Sequence, residues 1–189
     1  FIEERGSPLE KARWRHILYG VQPEPEVIQP FVALQNDDGG FPYAMLSGNL
    51  STINNTLIAL WWMAELGMLA SPTADSAFGF LLAAQHDDGG WDEDPRSAQY
   101  DLPPWASPGK LHARLYLSAQ SAYWLAQGRY KTHPAFPRAL DFLKTHRDDT
   151  GRFLGFLHTT WIATGVFAMA GQEYAAVVSQ GLRALTDQP

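Results

Sequence analysis

One group of residues in this chain that could support proton transfer is a run of acidic side chains. Asp92, Glu93 and Asp94 follow one another directly before Pro95. A carboxyl group held in a dry pocket has a raised pKa and can protonate a bound substrate. We favour a solvated acidic cluster at a loop entrance here. Asp92 and Asp94 are the candidates for a catalytic acid, and the catalytic residue stays unassigned.

Aromatic side chains form the second group that could do chemistry. The chain has seven Trp, seven Tyr and ten Phe, and aromatic faces pack on apolar ligands and stabilise cations. At helical spacing, ordinary core packing between helices is the favoured interpretation. A single His at a helix start, such as His112, is more often a capping or packing residue. The candidates for contact with an apolar ligand are Trp61, Trp62, Tyr116, Tyr123, His158 and Trp161.

Composition excludes several classes of site. The chain has no Cys, so it forms no disulfide, thiolate nucleophile or Cys-ligated metal centre. No two His are four residues apart, and the aspartates after Gln85 do not follow a calcium-loop pattern. We therefore expect no metal and no cofactor. A net charge of −6 without a basic cluster argues against nucleic acid.

A sequence repeat supplies the elements that must position these residues. An apolar segment, an amide, two aspartates, a glycine and an aromatic residue occur at 31–41 and again at 81–91, and in degraded form at 142–153. In the third copy His146 takes the amide position and Thr150 is inserted. Each copy predicts a helix end, a tight acidic turn and the start of another helix. The repeat residues are Gln35, Gly39, Gly40, Phe41, Gln85, Gly89, Gly90, Trp91, His146, Gly151 and Phe153.

Glycines at the ends of helical segments mark the same period, since glycine enters the left-handed region without steric cost. They are Gly20, Gly67, Gly128 and Gly171. Continuing the spacing places a fourth acidic turn at Gln188, so we expect residues 1–189 to be a single repeat domain and a fragment of a longer protein. No segment alternates with period two, and the chain is predicted to be all-α. The eight predicted helices span about 9–19, 23–36, 51–66, 71–86, 111–127, 133–147, 158–170 and 172–186. The proline-rich loop at 92–109 is predicted to be an ordered flap.

The pattern at Phe31, Gln35, Gly39 and Phe41, repeated at 81–91, resembles the QW motif of squalene–hopene and oxidosqualene cyclases. Related repeats occur in protein prenyltransferase β subunits. The resemblance implies an α–α toroid in which outer helices end at the Gln and inner helices line a central cavity. A full toroid of this kind has more hairpins than are predicted here. The arc would then be open, or closed by missing sequence or by self-association with another copy. At the turn itself, the Gln side chain can satisfy free amides of an inner helix.

The same resemblance implies a chemistry that this sequence matches only in part. Such cyclases protonate their substrate with an Asp-x-Asp-Asp motif and shelter carbocations with aromatic faces. The nearest string, Asp92-Glu93-Asp94-Pro95, lacks the final aspartate. Protein prenyltransferases hold zinc with a cysteine that is missing here, and the segment from His158 only faintly echoes their histidine segment. The implied function is binding or cyclisation of an apolar isoprenoid, with enzymatic activity left open.

Two other classes of function stay open. A non-catalytic helical-repeat scaffold would use its concave face for a protein partner, and the missing cyclase and zinc signatures favour it. A glycoside hydrolase needs two facing carboxylates, and Glu65, Asp75 and Asp141 form no obvious pair. The apolar stretches are too short to span a bilayer. We expect a cytoplasmic protein, with peripheral membrane contact as the alternative.

Overall fold

The chain folds as an all-α protein in a computed structural model that describes residues 1–186. Two short strands, β1 (Phe41–Pro42) and β2 (Ser51–Thr52), pair antiparallel. Four 3₁₀ turns span Tyr43–Met45, Pro95–Gln99, Pro104–Ala106 and Gln172–Tyr174. The helices within the described residues are α1 (Ile2–Arg5), α2 (Pro8–Tyr19), α3 (Pro25–Val32), α4 (Ile53–Glu65), α5 (Pro72–Ala83), α6 (Leu111–Gln127), α7 (Ala135–Thr145), α8 (Leu157–Ala170) and α9 (Ala175–Thr186).

The all-α prediction is confirmed, and each of the eight predicted segments contains a helix. The sequence did not indicate the short α1 or the two-residue strand pair. Side-chain caps begin several helices as expected. The Thr52 hydroxyl accepts from the Asn55 amide at 3.1 Å, and the Ser71 hydroxyl accepts from the Ala74 amide at 3.2 Å. Gln188, where a fourth turn was predicted, lies outside the described residues.

Contacts divide the chain into two compact units, Phe1–Leu81 and Leu82–Pro189. The prediction of a single domain stays a prediction. In each unit the core consists of aromatic and aliphatic side chains from the helices and from the repeat turns. Fully buried side chains in the first unit include Phe41, Leu60, Met63, Leu66 and Phe78. Those in the second unit include Trp91, Leu115, Leu117, Leu125, Phe153 and Phe167.

The glutamine of the repeat ties each of the first two turns to a later helix. The side-chain amide of Gln35 donates to the Gly39 carbonyl at 2.8 Å and to the Thr73 carbonyl, in the first turn of α5, at 2.9 Å. We expected such a Gln to satisfy free amides of an inner helix. The observed geometry is different, because the Gln side chain acts as a donor to carbonyls.

The first glycine of each turn packs against the middle of a later helix. Gly39, Gly89 and Gly151 have φ of +84°, +89° and +88°, a region that favours glycine. A Cβ atom at any of them would overlap the backbone or Cβ of one residue. These contacts pair Gly39 with Ser76, Gly89 with Arg138 and Gly151 with Gln180. Glycine is therefore required by both conformation and close approach.

Backbone hydrogen bonds revise the register of the third turn. In every turn one residue donates its amide to the carbonyl four residues later at 2.9 to 3.0 Å and accepts from the glycine three residues later. Those residues are Asn36, His86 and Asp148. The residue before Asp148 is Arg147, so Arg147 rather than His146 occupies the glutamine position. Thr150 then aligns with Asp38 and is not an insertion.

The aromatic residue of each turn is buried, and its amide donates to a hydroxyl on the helix that follows. The sequence pattern did not indicate these hydroxyl partners. The hydrogen bonds are Phe41 N to Thr56 Oγ1 (2.9 Å), Trp91 N to Ser118 Oγ (2.8 Å) and Phe153 N to Thr160 Oγ1 (3.1 Å). A buried amide without an acceptor is costly, so this contact is a further element of the repeat.

Candidate functional site

Four side chains of the second unit form an aromatic cluster beside the N-terminal ends of α6 and α8. The Phe156 ring lies edge-on to Tyr116 and His112, with centroid distances of 6.3 and 5.1 Å. The Trp105 ring lies 6.5 Å from that of Tyr116. Edge-to-face contacts of this kind stabilise ring pairs beyond the burial of their area. We call Trp105, His112, Tyr116 and Phe156 the aromatic cluster.

The loop at 92–109 holds Trp105 in the cluster. Its Pro104–Ala106 turn packs on α6, and Ala106 is buried. At the base of the loop, the Gly109 amide donates to both carboxylate oxygens of Asp92 at 3.0 Å. The side chain of the first loop residue therefore closes the loop. The prolines reduce the number of conformations of the unfolded loop, which lowers the entropy cost of ordering it.

The two candidate acids, Asp92 and Asp94, are engaged in local structure. The Asp92 carboxylate faces Arg114, with Nε 3.7 Å away, in addition to its bonds with Gly109. Asp94 caps the Pro95–Gln99 turn and pairs with Arg96 at 2.6 Å. The hydrogen bond from Arg96 lowers the pKa of Asp94. A lowered pKa favours the carboxylate form, which is the opposite of what a proton donor needs.

The carboxyl group between them has a different environment. Glu93 is only 2% exposed, whereas the sequence indicated a solvated cluster. A charged side chain is rarely buried unless it is paired. The run of three acidic residues carries no sequence signal that separates Glu93 from its neighbours.

Arg114 connects the second acidic turn to α6. Its guanidinium donates to Asp88 at 2.8 Å and lies 5.2 Å from the centre of the Phe142 ring. Burial opposes the charged form of Asp88, but the hydrogen bonds from Arg114 and from the Gly90 amide outweigh it and lower the pKa of Asp88. This acidic turn therefore stabilises the fold.

The predicted ligand contacts of the second unit differ in environment. Tyr116 belongs to the aromatic cluster, and its hydroxyl accepts from the Gln120 amide at 3.1 Å. Tyr123 lies two turns further along α6 and packs edge-on against Trp124 at 5.1 Å. His158 and Trp161 are exposed on α8. Phe156 was not among the residues predicted from the sequence, and its only local signal is its place directly before a helix.

In the first unit the predicted ligand-contact residues, Trp61 and Trp62, lie against the side chain of an arginine in the same chain. The Arg13 guanidinium lies 5.0 Å from the Trp62 ring centre and 5.9 Å from that of Trp61. Its Nε donates to the Glu65 carboxylate at 2.7 Å. Phe31 packs on Trp62 with a centroid distance of 5.7 Å. These indoles stabilise an internal ion pair, although Trp61 remains half exposed.

A cavity of about 410 Å³ in the first unit has a lining unlike the aromatic pocket that the sequence predicts. It adjoins the first acidic turn and has no aromatic side chain among its lining residues, which are Ala33, Leu34, Gln35, Asn36, Asp37, Asp38 and Ser47. Over residues 1–186, no group of three His, Asp or Glu side chains could hold a metal ion. No helix in that part of the chain has the length and apolar character needed to cross a membrane.

Comparisons with known proteins show similarity of fold. No protein-family model matches the chain, and no curated protein matches it. A crystal structure of a protein from Actinoplanes has a TM-score of 0.61 and 19% identity, covering 90% of this chain and 54% of that chain. The type II terpene cyclase MstE from Scytonema, in complex with its substrate geranylgeranyl dihydroxybenzoate, has a TM-score of 0.57 and 17% identity. That match covers 93% of this chain and 52% of the cyclase.

Ligand-free MstE is similar in the same way, with a TM-score of 0.55 and 18% identity over 90% of this chain. At such identities the similarity shows the fold alone. This chain therefore has a terpene cyclase-like fold, and it spans about half the length of the solved chains it matches.

Proposed function

We propose that this chain is a terpene cyclase-like domain that binds an apolar isoprenoid on its aromatic cluster, and that its hairpins form part of an α–α toroid. The observation that carries the proposal is the cluster of Trp105, Tyr116, Phe156 and His112 beside the ends of α6 and α8. The fold similarity to a cyclase whose structure holds a geranylgeranyl compound supports the same substrate class.

The chemistry of the cluster suits an isoprenoid chain. Methyl groups and alkenes of such a chain gain dispersion and hydrophobic energy against aromatic faces. The Tyr116 hydroxyl already accepts from Gln120, so it can still donate its proton to an oxygen on a prenylated head group. The cluster therefore offers aromatic faces to an apolar chain and a polar contact from the Tyr116 hydroxyl at its edge.

Binding is better supported than cyclisation in this chain. Alkene protonation needs a carboxyl group that is protonated and faces the substrate. Asp92 is bound to the Gly109 amide, and the pKa of Asp94 is lowered by Arg96. Neither residue is proposed as the acid. Cytoplasmic location and contact with a membrane surface stay predictions.

A fluorescence titration tests the proposal. The chain is titrated with geranylgeraniol while its tryptophan emission is recorded, with Tyr116→Ala as the test variant and Tyr19→Ala, an exposed tyrosine on α2, as the control. We expect Tyr116→Ala to weaken binding by about tenfold, since it removes an aromatic contact. Saturable binding that Tyr19→Ala leaves unchanged supports the site. No saturable change with the unaltered chain, or equal binding by Tyr116→Ala, contradicts it.

A protein-binding scaffold is the second candidate function. The observation that favours it is a set of exposed hydrophobic residues on α8 and α9, namely Leu157, Trp161 and Leu182. A glycoside hydrolase has weaker support, because the Glu65 carboxylate is paired with Arg13.

A further inference from the structure

We propose that residues 103–109 form a lid on the aromatic cluster, and that Asp92 is the positioning residue that holds this lid closed. The lid carries Trp105 and ends at Gly109, close to the start of α6. It admits an apolar ligand when open and covers the ligand when closed. Its role as a gate rests on the isoprenoid site proposed for the cluster.

Within the aromatic cluster, Trp105 lies on the solvent side. Tyr116 is held on α6, and Phe156 directly precedes α8, whereas Trp105 belongs to a loop. The Trp105 side chain is 44% exposed and is the most exposed of the four members of the cluster. Movement of Trp105 away from Tyr116 therefore uncovers an aromatic face that an apolar chain can reach.

The lid carries its own hydrogen bonds. The Ala106 amide donates to the Pro103 carbonyl at 2.9 Å, and the Ser107 hydroxyl donates to the same carbonyl at 3.4 Å. Pro104 and Pro108 have no amide hydrogen that needs an acceptor. The lid can therefore move as a unit without breaking these bonds. The main contacts that it loses are those of its apolar side chains with α6.

Gly109 has the properties of a hinge at one end of the lid. It is exposed and has a φ of +73°, and a Cβ atom at this position would meet no atom within 4 Å. Neighbouring atoms therefore leave its backbone free to turn, and glycine reaches both signs of φ. Lids commonly turn on a few loop residues that absorb the change in backbone dihedrals. Gly109 therefore allows the lid to swing away from the cluster.

Asp92 fastens this hinge to the core of the second unit. The Gly109 amide donates to both carboxylate oxygens of Asp92 at 3.0 Å. Asp92 directly follows Trp91, whose side chain is fully buried, so the second repeat turn holds the carboxylate in place. A hydrogen bond to an ionised acceptor is stronger than one between neutral groups. Asp92 therefore acts through Gly109 on the position of Trp105.

Arg114 offers the same carboxylate a second partner. Its Nε lies 3.7 Å from Asp92 Oδ2, is buried, and has no hydrogen-bond partner among the residues that the structure describes. A buried N–H group without an acceptor is costly. A shift of less than about 1 Å brings the two atoms within hydrogen-bond distance. When the Gly109 amide moves away, Arg114 can bind the released carboxylate, which keeps the open and closed lid close in free energy.

A buried cysteine reports on opening of the lid. Since the chain has no Cys, Ala106→Cys introduces a single thiol at a position that is fully buried in the closed lid. A thiol reagent labels this position when the lid opens. Ala119→Cys, which is fully buried on α6, reports global unfolding instead. We expect position 106 to be labelled at least about tenfold faster than position 119, because local opening costs less than global unfolding.

Substitutions of Asp92 test whether it holds the lid. Asp92→Ala should speed labelling of position 106 by at least about tenfold, because hydrogen bonds to a charged group are lost, and should change labelling of position 119 much less. Asp92→Asn keeps an acceptor oxygen for the Gly109 amide and should restore most of the protection. The matched control is Asp94→Ala, which removes the neighbouring carboxylate that caps the Pro95–Gln99 turn. Equal acceleration at both positions, or an equal effect of Asp94→Ala, overturns the proposal.

Hydrogen exchange tests the lid without an introduced cysteine. Asp92→Ala should speed exchange of the Gly109 amide, whereas the Trp91 amide, which donates to Ser118 in the core, should exchange at its original rate. Equal acceleration of the two amides would show that the substitution destabilises the whole unit, and it would overturn the role of Asp92 in the lid.

Geranylgeraniol separates the lid from the isoprenoid site. A ligand that Trp105 covers stabilises the closed lid, so labelling of position 106 should slow by about tenfold at ten times the dissociation constant. Unchanged or faster labelling, when the fluorescence titration shows binding, overturns the lid. No binding in that titration contradicts the isoprenoid site instead, and labelling of position 106 with and without Asp92→Ala then still decides for or against the lid.

Discussion

The second and third turns of the repeat, residues 85–91 and 147–153, have similar backbones but different side chains at their centres. In the second turn the Gln85 amide donates to the carbonyls of Gly89 and Ala135, both at 2.8 Å. In the third turn Arg147 stands at that position. Its Nη1 is buried and has no hydrogen-bond partner among residues 1–186.

The third turn nevertheless forms. The Gly151 amide donates to Asp148 at 3.0 Å, and Phe153 is fully buried as Trp91 is. The glycine, the buried aromatic and its hydroxyl acceptor are thus sufficient for the turn. The glutamine adds one bond within its turn, to Gly89, and one to the first residue of α7, so it contributes both to the turn and to packing between hairpins. Substitutions at the two turns should separate these two contributions.

The largest loss of stability is expected at the turn glycine, which both turns share. Gly89→Ala places a side chain at φ of +89° and against the Arg138 carbonyl oxygen, which should lower the free energy of unfolding by about 3 kcal/mol. Urea denaturation measures the change. The control is Gly79→Ala in α5, where a Cβ meets open space, and it should stabilise the chain by about 0.5–1 kcal/mol. Equal effects of the two substitutions would contradict the packing role of the turn glycine.

The second prediction concerns the position at which the two turns have different residues, Gln85 and Arg147. Gln85→Leu removes two hydrogen bonds to carbonyls and should cost about 2 kcal/mol. Arg147→Gln should instead stabilise the chain by about 1 kcal/mol, because it removes a buried N–H group that has no acceptor. Thermal and urea unfolding of both variants measure these changes. A destabilised Arg147→Gln variant would show that the arginine is better accommodated than its hydrogen bonding indicates.

The third prediction concerns the hydroxyl partners. Ser118→Ala leaves the buried Trp91 amide without its acceptor and should cost about 1–2 kcal/mol. Ser121→Ala on the same helix is the control, since the Ser121 hydroxyl is buried and lacks a hydrogen bond within the described part of the chain. Its removal should be neutral or slightly stabilising. Hydrogen exchange of the Trp91 amide should accelerate only in Ser118→Ala.

Helices and turns were predictable from sequence because their signals are local. A cap such as Ser71, a glycine such as Gly39 and the apolar run before each turn act within a few residues. The hydroxyl partners were not predictable in this way. Thr56 is the fourth residue of α4, whereas Ser118 is the eighth of α6, so no fixed spacing links the turn aromatic to its acceptor.

The candidate site was predictable only in part. Tyr116 was foreseen because it lies on a helix with aromatic residues at helical spacing. Its partners Trp105 and Phe156 lie in loops, whose paths depend on tertiary contacts such as that between Asp92 and Gly109. Loop residues carry no periodic signal, and their contacts with a helix appear only in the folded chain.

The smallest expected effect is the pH dependence of the two turns, which have carboxylates stabilised by different groups. Burial opposes the charge of Asp88, but Arg114 and the Gly90 amide lower its pKa, whereas the pKa of Asp148 is lowered first by the Thr150 hydroxyl. A lowered pKa means that each carboxylate stabilises the fold above its unfolded pKa, and that this contribution is lost as pH falls below about 4.

The dependence of stability on salt should distinguish the contributions of the two carboxylates. The Asp88 side chain is about half exposed, so its ion pair with Arg114 should contribute less than about 1 kcal/mol and should weaken at high ionic strength. The Thr150 hydroxyl is neutral, and its bond to Asp148 should be insensitive to salt. We therefore expect the difference between Asp88→Asn and the unaltered chain to shrink in high salt at pH 7, and that of Asp148→Asn to persist. Urea unfolding at two salt concentrations measures both differences. A salt-independent Asp88→Asn difference would show that the Gly90 amide, and not Arg114, is the main stabiliser of that carboxylate.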